Sequence, residues 1–180
     1  MNGTIRPMKQ EDFCQMMKIY KEGIASNMAT FEQQAPDYDT WDKGHLKEGR
    51  LVVEQEGKVV AFACLSPTSA RAAYRGVVED SVYVTEDCRG EGLGKALLLS
   101  LIDIADAAGF WTIQAVVMEE NEASIQLHQS VGFRLVGRRD KIARDAFGLW
   151  RSTVLLERRS RKIGFEGCQG CDGHSCPIRN

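Results

Sequence analysis

The sequence predicts an α/β domain whose mixed β-sheet is covered by helices on both faces. Its 180 residues match the length of one domain. β-Branched segments of strand length alternate with segments whose apolar residues recur at helical spacing. Two hairpin-like regions flank a central strand–helix–strand unit, and that order places antiparallel and parallel strands in the same sheet.

The first half of the chain is predicted to contain three strands and two helices. Apolar residues between Phe13 and Ile24 recur at helical spacing and indicate a helix. The pair Glu56-Gly57 separates two β-branched runs and is a hairpin signal. The predicted strands are residues 3–7, 51–54 and 58–65, and the predicted helices are 11–25 and 40–47.

The second half is predicted to continue with a strand at 77–84 and a long helix at 92–108. The helix carries one stripe of leucine, isoleucine and alanine residues, and Gly109 follows as a C-terminal stop. The other predicted elements are strands at 112–117, 133–138 and 149–156, and a helix that begins at Asn121 and ends at Gly132. The domain is therefore expected to comprise residues 1–157.

Residues 158–180 form a basic, cysteine-rich segment that we expect to be a flexible tail. Cys168, Cys171, His174 and Cys176 are side chains of the type that zinc prefers. They lie closer together than the usual paired ligand spacings, so a tail without metal is the alternative to a zinc site. We assign no metal.

Composition excludes several classes of protein. A net charge of −2 and a pI near 6.0 argue against a dedicated nucleic-acid binder. No apolar run reaches the ~20 residues of a membrane span, and the first residues lack a signal-peptide pattern. Cys14, Cys64 and Cys88 are scattered, which fits reduced thiols better than a disulfide framework. We therefore expect a cytoplasmic protein with no membrane or nucleic-acid partner.

A glycine-rich turn is the most informative motif. A valine-rich strand leads into Cys88-Arg89-Gly90-Glu91-Gly92-Leu93-Gly94-Lys95, which opens the long helix. Free N–H groups at a helix start bind anions, and glycine lets a phosphate approach them. A P-loop would need glycine at position 89, and a dinucleotide fingerprint would need glycine at position 95. We predict a pyrophosphate site; the alternative is a loop that merely tightens the helix start.

The spacing Arg89-x-x-Gly92-x-Gly94 after a valine-rich strand resembles the acetyl-CoA site of the GCN5-related N-acetyltransferases (GNAT). The resemblance covers residues 3–157 and is narrowest to the phosphinothricin and methionine sulfoximine N-acetyltransferases. It implies a GNAT fold with a mostly antiparallel central sheet, and acetyl-CoA as cofactor. The segments that carry the narrower match are Thr30-Phe31, Ala70-Arg71-Ala72-Ala73-Tyr74, Val78-Glu79-Asp80-Ser81-Val82-Tyr83-Val84, Asn121-Glu122-Ala123-Ser124 and Leu127-His128-Gln129-Ser130-Val131-Gly132-Phe133.

The resemblance also implies which residues hold acetyl-CoA. Backbone groups of Val82, Tyr83 and Val84 would bind the pantetheine arm and the thioester carbonyl. Asn121 and Ser130 would contact the cofactor further along, although Asn121 is also a preferred N-cap for the helix that follows it. The pyrophosphate would be bound by Gly90, Glu91, Gly92, Leu93, Gly94 and Lys95, with Arg89 adding positive charge.

Acetyl transfer to an amine requires an unprotonated nitrogen, and Glu79 is the predicted base. The family's general-base glutamate occupies this position, on the strand that would carry the acetyl group. Strand periodicity puts Glu79, Ser81 and Tyr83 on one face and Asp80 among valines on the other. A bulge would exchange the faces, so Asp80 is the alternative base.

His128 is the predicted second catalytic residue. Many superfamily members place a tyrosine here that protonates the leaving thiolate, and the phosphinothricin group shares the histidine. Imidazole can donate a proton near neutral pH. The alternative is a histidine whose ring nitrogens are satisfied within the fold.

Arg71, Tyr74 and Phe31 are the predicted substrate contacts. A guanidinium binds a carboxylate or a phosphinate through two hydrogen bonds. Arg75 is adjacent to Tyr74 and is an alternative to Arg71, and Phe31 is otherwise a core residue.

These features predict an acetyl-CoA-dependent N-acetyltransferase that acts by direct attack. The expected acceptor is the α-amino group of a small amino acid or analogue, and the resemblance implies one of the methionine sulfone, methionine sulfoximine or phosphinothricin type. Alternatives are a peptide or protein N-acetyltransferase, and a non-catalytic acyl-CoA-binding module. The resemblance further implies a homodimer.

Overall fold

A computed structural model describes residues 3–164 and confirms the predicted α/β class. Short 3₁₀ helices at Gln10–Asp12, Ala72–Tyr74 and Glu86–Cys88 join some of the main elements. In chain order these are β1 (Thr4–Pro7), α1 (Phe13–Ala25), α2 (Tyr38–Gly44), β2 (Leu51–Gln55), β3 (Lys58–Pro67), β4 (Val77–Val84), α3 (Leu93–Ala107), β5 (Thr112–Met118), α4 (Glu122–Gln129), β6 (Arg134–Arg144) and β7 (Trp150–Arg159).

The predicted element boundaries are least accurate at the C-terminal end. The strand predicted at 133–138 continues to Arg144. The prediction was too short because most side chains of β6 are exposed, so no apolar alternation marks the length of the strand. β7 continues beyond residue 157, and the N–H of Ser160 still donates to the carbonyl of Trp111. The boundary expected at 157 therefore falls inside the last strand. The helix predicted to end at Gly132 ends at Gln129.

The seven strands form one sheet in the order β1-β2-β3-β4-β5-β7-β6. All neighbouring pairs are antiparallel except β4 and β5, whose parallel pairing follows from the α3 crossover between them. The predicted hairpin turn is confirmed: Glu56 and Gly57 both have positive φ, 48° and 77°, as a two-residue turn between antiparallel strands requires.

Helices cover both faces of the sheet, as predicted. On one face α3 buries Leu93, Leu97 and Leu101 against β2, β3 and β4, and each such side chain stabilises the fold by roughly 1.5–3 kcal/mol. On the other face α1 packs Met16 and other apolar residues against β3. Among residues 3–164, no helix is long and apolar enough to span a bilayer.

The two faces of β4 carry different side chains, in the predicted alternation. Val78 packs in the α3 cluster, whereas Tyr83 packs against the cluster under α1. Asp80 is buried on the α3 and α4 side, where it meets His128 of α4. Glu79 and Ser81 share the α1 side with Tyr83.

A buried polar pair ties α4 to β4. His128 Nε2 lies 3.0 Å from Asp80 Oδ2, and His128 Nδ1 lies 2.7 Å from the carbonyl oxygen of Ser124. A carbonyl oxygen can only accept, so Nδ1 carries a hydrogen and donates it. Removing His128 alone would leave a buried carboxylate without its partner, which costs about 3–5 kcal/mol.

The pair makes stability depend on pH. Burial opposes the charged form of His128, yet the hydrogen bond and charge of Asp80 and the Ser124 carbonyl raise the pKa of His128 overall. A pKa raised on folding contributes stability that is complete below the unfolded value of about 6.5 and is lost as pH rises through the folded value. The double variant Asp80→Asn/His128→Gln removes both charges. We predict that its free energy of unfolding, measured in urea, lies below that of wild type and that this difference becomes smaller from pH 6 to pH 9.

His45 is the matched control for that measurement. Burial lowers the pKa of His45, whose Nδ1 lies 2.7 Å from the carbonyl oxygen of Trp41. Its linkage therefore has the opposite sign: its stability is present above about 6.5 and is lost as pH falls. The deficit of His45→Gln should widen from pH 5 to pH 7. If the loss in free energy of unfolding of the Asp80/His128 variant instead grows between pH 6 and pH 9, the raised pKa of His128 is contradicted.

Candidate active site

A cleft of about 1260 Å³ opens where β4 and β5 separate. Their parallel pairing runs from Val77 to Glu79 on β4 and ends at the Glu79–Gln114 pair. The cleft is lined by thirteen of the seventeen predicted site residues, namely Phe31, Glu79, Val82, Tyr83, Val84, Arg89, Gly90, Gly92, Leu93, Gly94, Lys95, Asn121 and His128. The structure therefore brings most of the predicted site together.

The backbone of β4 faces this gap with alternate residues. The carbonyl of Val77 accepts from Thr68 on the β3 side, so odd-numbered residues of β4 direct their backbone groups toward β3. Backbone direction alternates along a strand, and Val82 and Val84 consequently direct theirs into the gap. Tyr83 contributes its side chain instead, stacked on Phe62 at 5.1 Å between ring centroids.

The glycine-rich turn leaves its backbone open. Gly90 and Gly92 have φ of +81° and +82°, a region that disfavours other residues, and a Cβ at either position would meet no atom within 4 Å. Ala96 donates the first intrahelical bond, to Gly92, so the N–H groups of Leu93, Gly94 and Lys95 precede the ladder. N–H groups placed in this way bind anions, and Arg89 and Lys95 line the cleft with them.

Gly94 is required for a different reason. A Cβ there would come within 3.2 Å of Leu127 on α4, which is tighter than ordinary packing. Gly94 therefore lets α3 and α4 approach each other beside the gap.

Glu79 stands at the point where the strands part. Its carboxyl lines the cleft, is half-buried, and makes no hydrogen bond or ion pair with other side chains of residues 3–164. Burial and the neighbouring charge of Asp80 raise the pKa of Glu79, while the charge of Arg139 lowers it. A base near neutral pH benefits from such a raised pKa.

The roof of the cleft is the segment between α1 and α2. Phe31 and Thr30 lie in it, and the hydroxyls of Tyr20 and Thr30 are 3.4 Å apart. Asn121 both caps α4, by accepting from the N–H of Ser124, and donates to the carbonyl of Met28 in the roof. The predicted N-cap role of Asn121 is thus confirmed.

Asp145, which the sequence analysis missed, anchors the same roof from the β6–β7 hairpin. Its buried carboxylate accepts from Asn27 Nδ2 at 3.0 Å, from Arg151 at 3.1 Å and from the N–H groups of Phe147 and Leu149. These bonds, led by that from Asn27, lower the pKa of Asp145 to about 2. Asp145-x-x-Gly148 is a turn pattern that indicates a structural aspartate, but not its partner 118 residues away.

Four predicted site residues do not line the main cleft. Ser130 donates its hydroxyl to the carbonyl of Leu127, and Glu91 is exposed beside Gln55. Arg71 and Tyr74 line a separate cleft of about 450 Å³. That second cleft includes Gln114, the register partner of Glu79, so it adjoins the candidate base on the same face of the sheet.

Cys168, Cys171, His174 and Cys176, which the sequence analysis considered as zinc ligands without assigning a metal, lie outside the described residues. Within residues 3–164, no group of three or more histidine, cysteine, aspartate or glutamate side chains is arranged to hold a metal ion.

Comparison with known proteins places the chain in a family. The family profile "Acetyltransferase (GNAT) family" matches residues 15–133. Phosphinothricin N-acetyltransferase from Alcaligenes faecalis is 34% identical over 162 residues, 86% of this chain and 81% of that protein. L-methionine sulfoximine/L-methionine sulfone acetyltransferase from Pseudomonas paraeruginosa is 29% identical, over 87% of this chain and 94% of that protein.

A solved structure agrees. The GNAT superfamily phosphinothricin acetyltransferase from Sinorhizobium meliloti, in complex with acetyl-CoA, has a TM-score of 0.80 and 32% identity. The match covers 88% of this chain and 89% of that one. The predicted cofactor, acetyl-CoA, and the predicted acetyltransferase class are thereby confirmed. The chain belongs to the acetyltransferase (GNAT) family.

Proposed function

We propose that this enzyme acetylates the α-amino group of a small amino acid or analogue, with Glu79 as the base. The observation that carries the proposal is the half-buried, unpaired carboxyl of Glu79 at the end of the β4–β5 pairing. The relatives named for phosphinothricin and for methionine sulfoximine and sulfone support acceptors of that chemical type.

The residues of the cleft divide the work between the two halves of the site. Acetyl-CoA, when bound, supplies an activated thioester carbonyl. Glu79 accepts a proton from the acceptor's ammonium group, directly or through water, which leaves the nitrogen lone pair free for direct attack. The N–H of Val82 is directed into the gap and is available as a donor to developing negative charge.

His128 has a constrained role in this proposal. Its Nδ1 hydrogen is donated to Ser124 and its Nε2 faces Asp80, so in this arrangement neither N–H is directed at the cleft. Protonation of a leaving thiolate by His128 would require Nε2 to turn away from Asp80. We therefore propose that His128 is first a positioning residue that holds α4 against β4.

We also propose a cytoplasmic homodimer. Large apolar side chains are exposed along the β6–β7 hairpin, which supports an interface there; they are Leu135, Val136, Ile142, Phe147, Leu149 and Trp150.

Thiol release from acetyl-CoA, measured against a panel of amines, tests the proposed function. The panel contains methionine sulfone, methionine sulfoximine, phosphinothricin, other amino acids and short peptides. Saturable turnover with a free amino acid or analogue is expected. Turnover with peptides alone would instead favour a peptide N-acetyltransferase. Acetyl-CoA binding without turnover on any amine would favour a non-catalytic acyl-CoA-binding module.

Glu79→Gln should abolish most of this turnover and leave acetyl-CoA binding intact. General-base catalysis contributes about 10²- to 10⁴-fold, so kcat/KM should fall by that order. Because the pKa of Glu79 is raised above 4.5, wild-type kcat/KM should rise with pH through a limb above that value, and the variant should lack it. The limb of the acceptor amine, with a pKa near 8, should remain.

Glu11→Gln is the control for Glu79→Gln, because Glu11 is exposed and pairs only loosely with Lys9, at 3.5 Å. It should keep the wild-type rate and pH profile. Retention of both by Glu79→Gln would exclude Glu79 as the base.

Asp145→Asn should weaken acceptor binding without weakening acetyl-CoA binding. The substitution removes the charge that holds Asn27 and Arg151, and so loosens the roof over the acceptor side. A lost charge-assisted hydrogen bond corresponds to roughly a tenfold rise in the acceptor KM. Asp140→Asn, at an exposed carboxylate of the same hairpin, is the control. Equal changes in acceptor KM and acetyl-CoA Kd would show that Asp145 has no specific role on the acceptor side.

A further inference from the structure

We propose that Arg139 of β6 binds the carboxylate of the acceptor and so selects free amino acids over amines that lack a carboxylate. The inference rests on the proposed function, because it concerns the same acceptor. It names a specificity-determining residue that lies in neither the glycine turn nor the Arg71–Tyr74 segment.

Sheet register places Arg139 on the face of the sheet that carries Glu79, which we call the acceptor face. Arg139 pairs with Thr153 of β7, and Thr153 pairs in turn with Met118 of β5. Side chains that lie opposite one another in antiparallel strands share a face. Thr153 and Met118 both line the main cleft, and Arg139 is exposed on the same face of the sheet, beyond the residues that line the cleft.

The Arg139 guanidinium is uncommitted, unlike its neighbours. Between residues 3 and 164 it makes no hydrogen bond and no ion pair. The adjacent Arg138, on the opposite face, is held by Glu119 and Asp140. Other arginines of the two strands are engaged as well: Arg134 with Glu157, Arg144 over the ring of Trp150, Arg151 with Glu120 and Asp145, and Arg158 with Asp106.

A second polar group without a hydrogen-bond partner among the described residues lies on the same face. The hydroxyl of Thr153 is buried and has no hydrogen-bond partner among the described residues. Buried hydroxyls are rarely left unsatisfied in a complete site. The register partner of Arg139 is therefore a second polar group on this face without a partner among the described residues.

Arg139 and Glu79 act as an opposite-charge pair without touching. The charge of Arg139 is near enough to lower the pKa of the Glu79 carboxyl, against the effect of burial. An amino acid zwitterion carries the complementary pattern, an ammonium group for Glu79 and a carboxylate for a guanidinium. Bound in that orientation, it would present its nitrogen to the base and accept two hydrogen bonds from Arg139.

Arg71 is the competing guanidinium. It lies in the second cleft, and the charges that shift the pKa of Glu79 are those of Asp80 and Arg139. Glu79 lines the main cleft and not the second one, and Thr153, the register partner of Arg139, lines the main cleft as well. That placement favours Arg139 over Arg71.

The experiment compares L-methionine sulfone with its amide, which keeps the amine and loses the carboxylate. For wild type, kcat/KM should be higher with the free amino acid. Arg139→Gln should lower kcat/KM for the amino acid by about 10- to 100-fold and leave the amide unchanged or improved. The acceptor ratio is kcat/KM for the free amino acid divided by kcat/KM for the amide. Arg139→Lys should give a ratio between those of wild type and Arg139→Gln, because lysine keeps the charge but not the planar guanidinium. Arg138→Gln should keep the wild-type ratio.

Acetyl-CoA Kd and thermal unfolding of each variant establish that it is folded, and Arg139→Lys carries the test if Arg139→Gln is not. An equal loss on both acceptors, or an unchanged ratio, overturns the role of Arg139 while the proposed function stands. Collapse of the ratio in Arg71→Gln but not in the Arg139 variants also overturns it. If wild type acetylates no free amino acid, the proposed function fails and this inference fails with it.

Discussion

The parting of β4 from β5 after the Glu79–Gln114 pair is the constraint on which the rest of the site depends. Below that pair the strands share a parallel ladder, and above it the even-numbered residues of β4 direct their backbone groups into a gap. Unpaired backbone groups inside a protein are costly unless a ligand or water satisfies them. The gap is therefore stable as a binding site, and its position fixes which β4 residue can act as the base.

Charge is distributed unequally between the two carboxylates of β4. Asp80, on the α4 side, is neutralised by His128, whereas Glu79, one residue earlier and on the opposite face, has no bonded partner among the described residues. After burial, the charge of Asp80 is the second cause that raises the pKa of Glu79, so the buried pair influences the proposed base electrostatically. One strand thus carries a structural carboxylate and the carboxylate proposed as the base, and the environment of each face separates the two.

Much of this arrangement could be predicted from the sequence because its signals are local. The hairpin at Glu56-Gly57, the stripe of α3 and the alternation of β4 are set by turn chemistry and periodicity, and the structure confirms them. The predicted length of β6 was wrong, because a strand with exposed side chains has no apolar alternation to mark where it ends. The Asp80–His128 pair and the Asp145 anchor join residues 48 and 118 positions apart, and no local pattern encodes such partners.

The site is built from two parts of the chain that do separate work. In the proposed function, the β4–α3 segment would hold the cofactor through backbone geometry, which is nearly independent of side-chain identity beyond the glycines. The proposed acceptor side is bounded by side chains of the roof and of the β6–β7 hairpin, where Asp145 holds the loop and Arg139 lies on the sheet face that carries Glu79. Backbone contacts suit a cofactor that never changes, whereas side chains that converge from a hairpin can match one acceptor. Substitutions on the hairpin should therefore alter which amine is chosen without altering how acetyl-CoA is held, and this separation is the physical basis for locating specificity at Arg139.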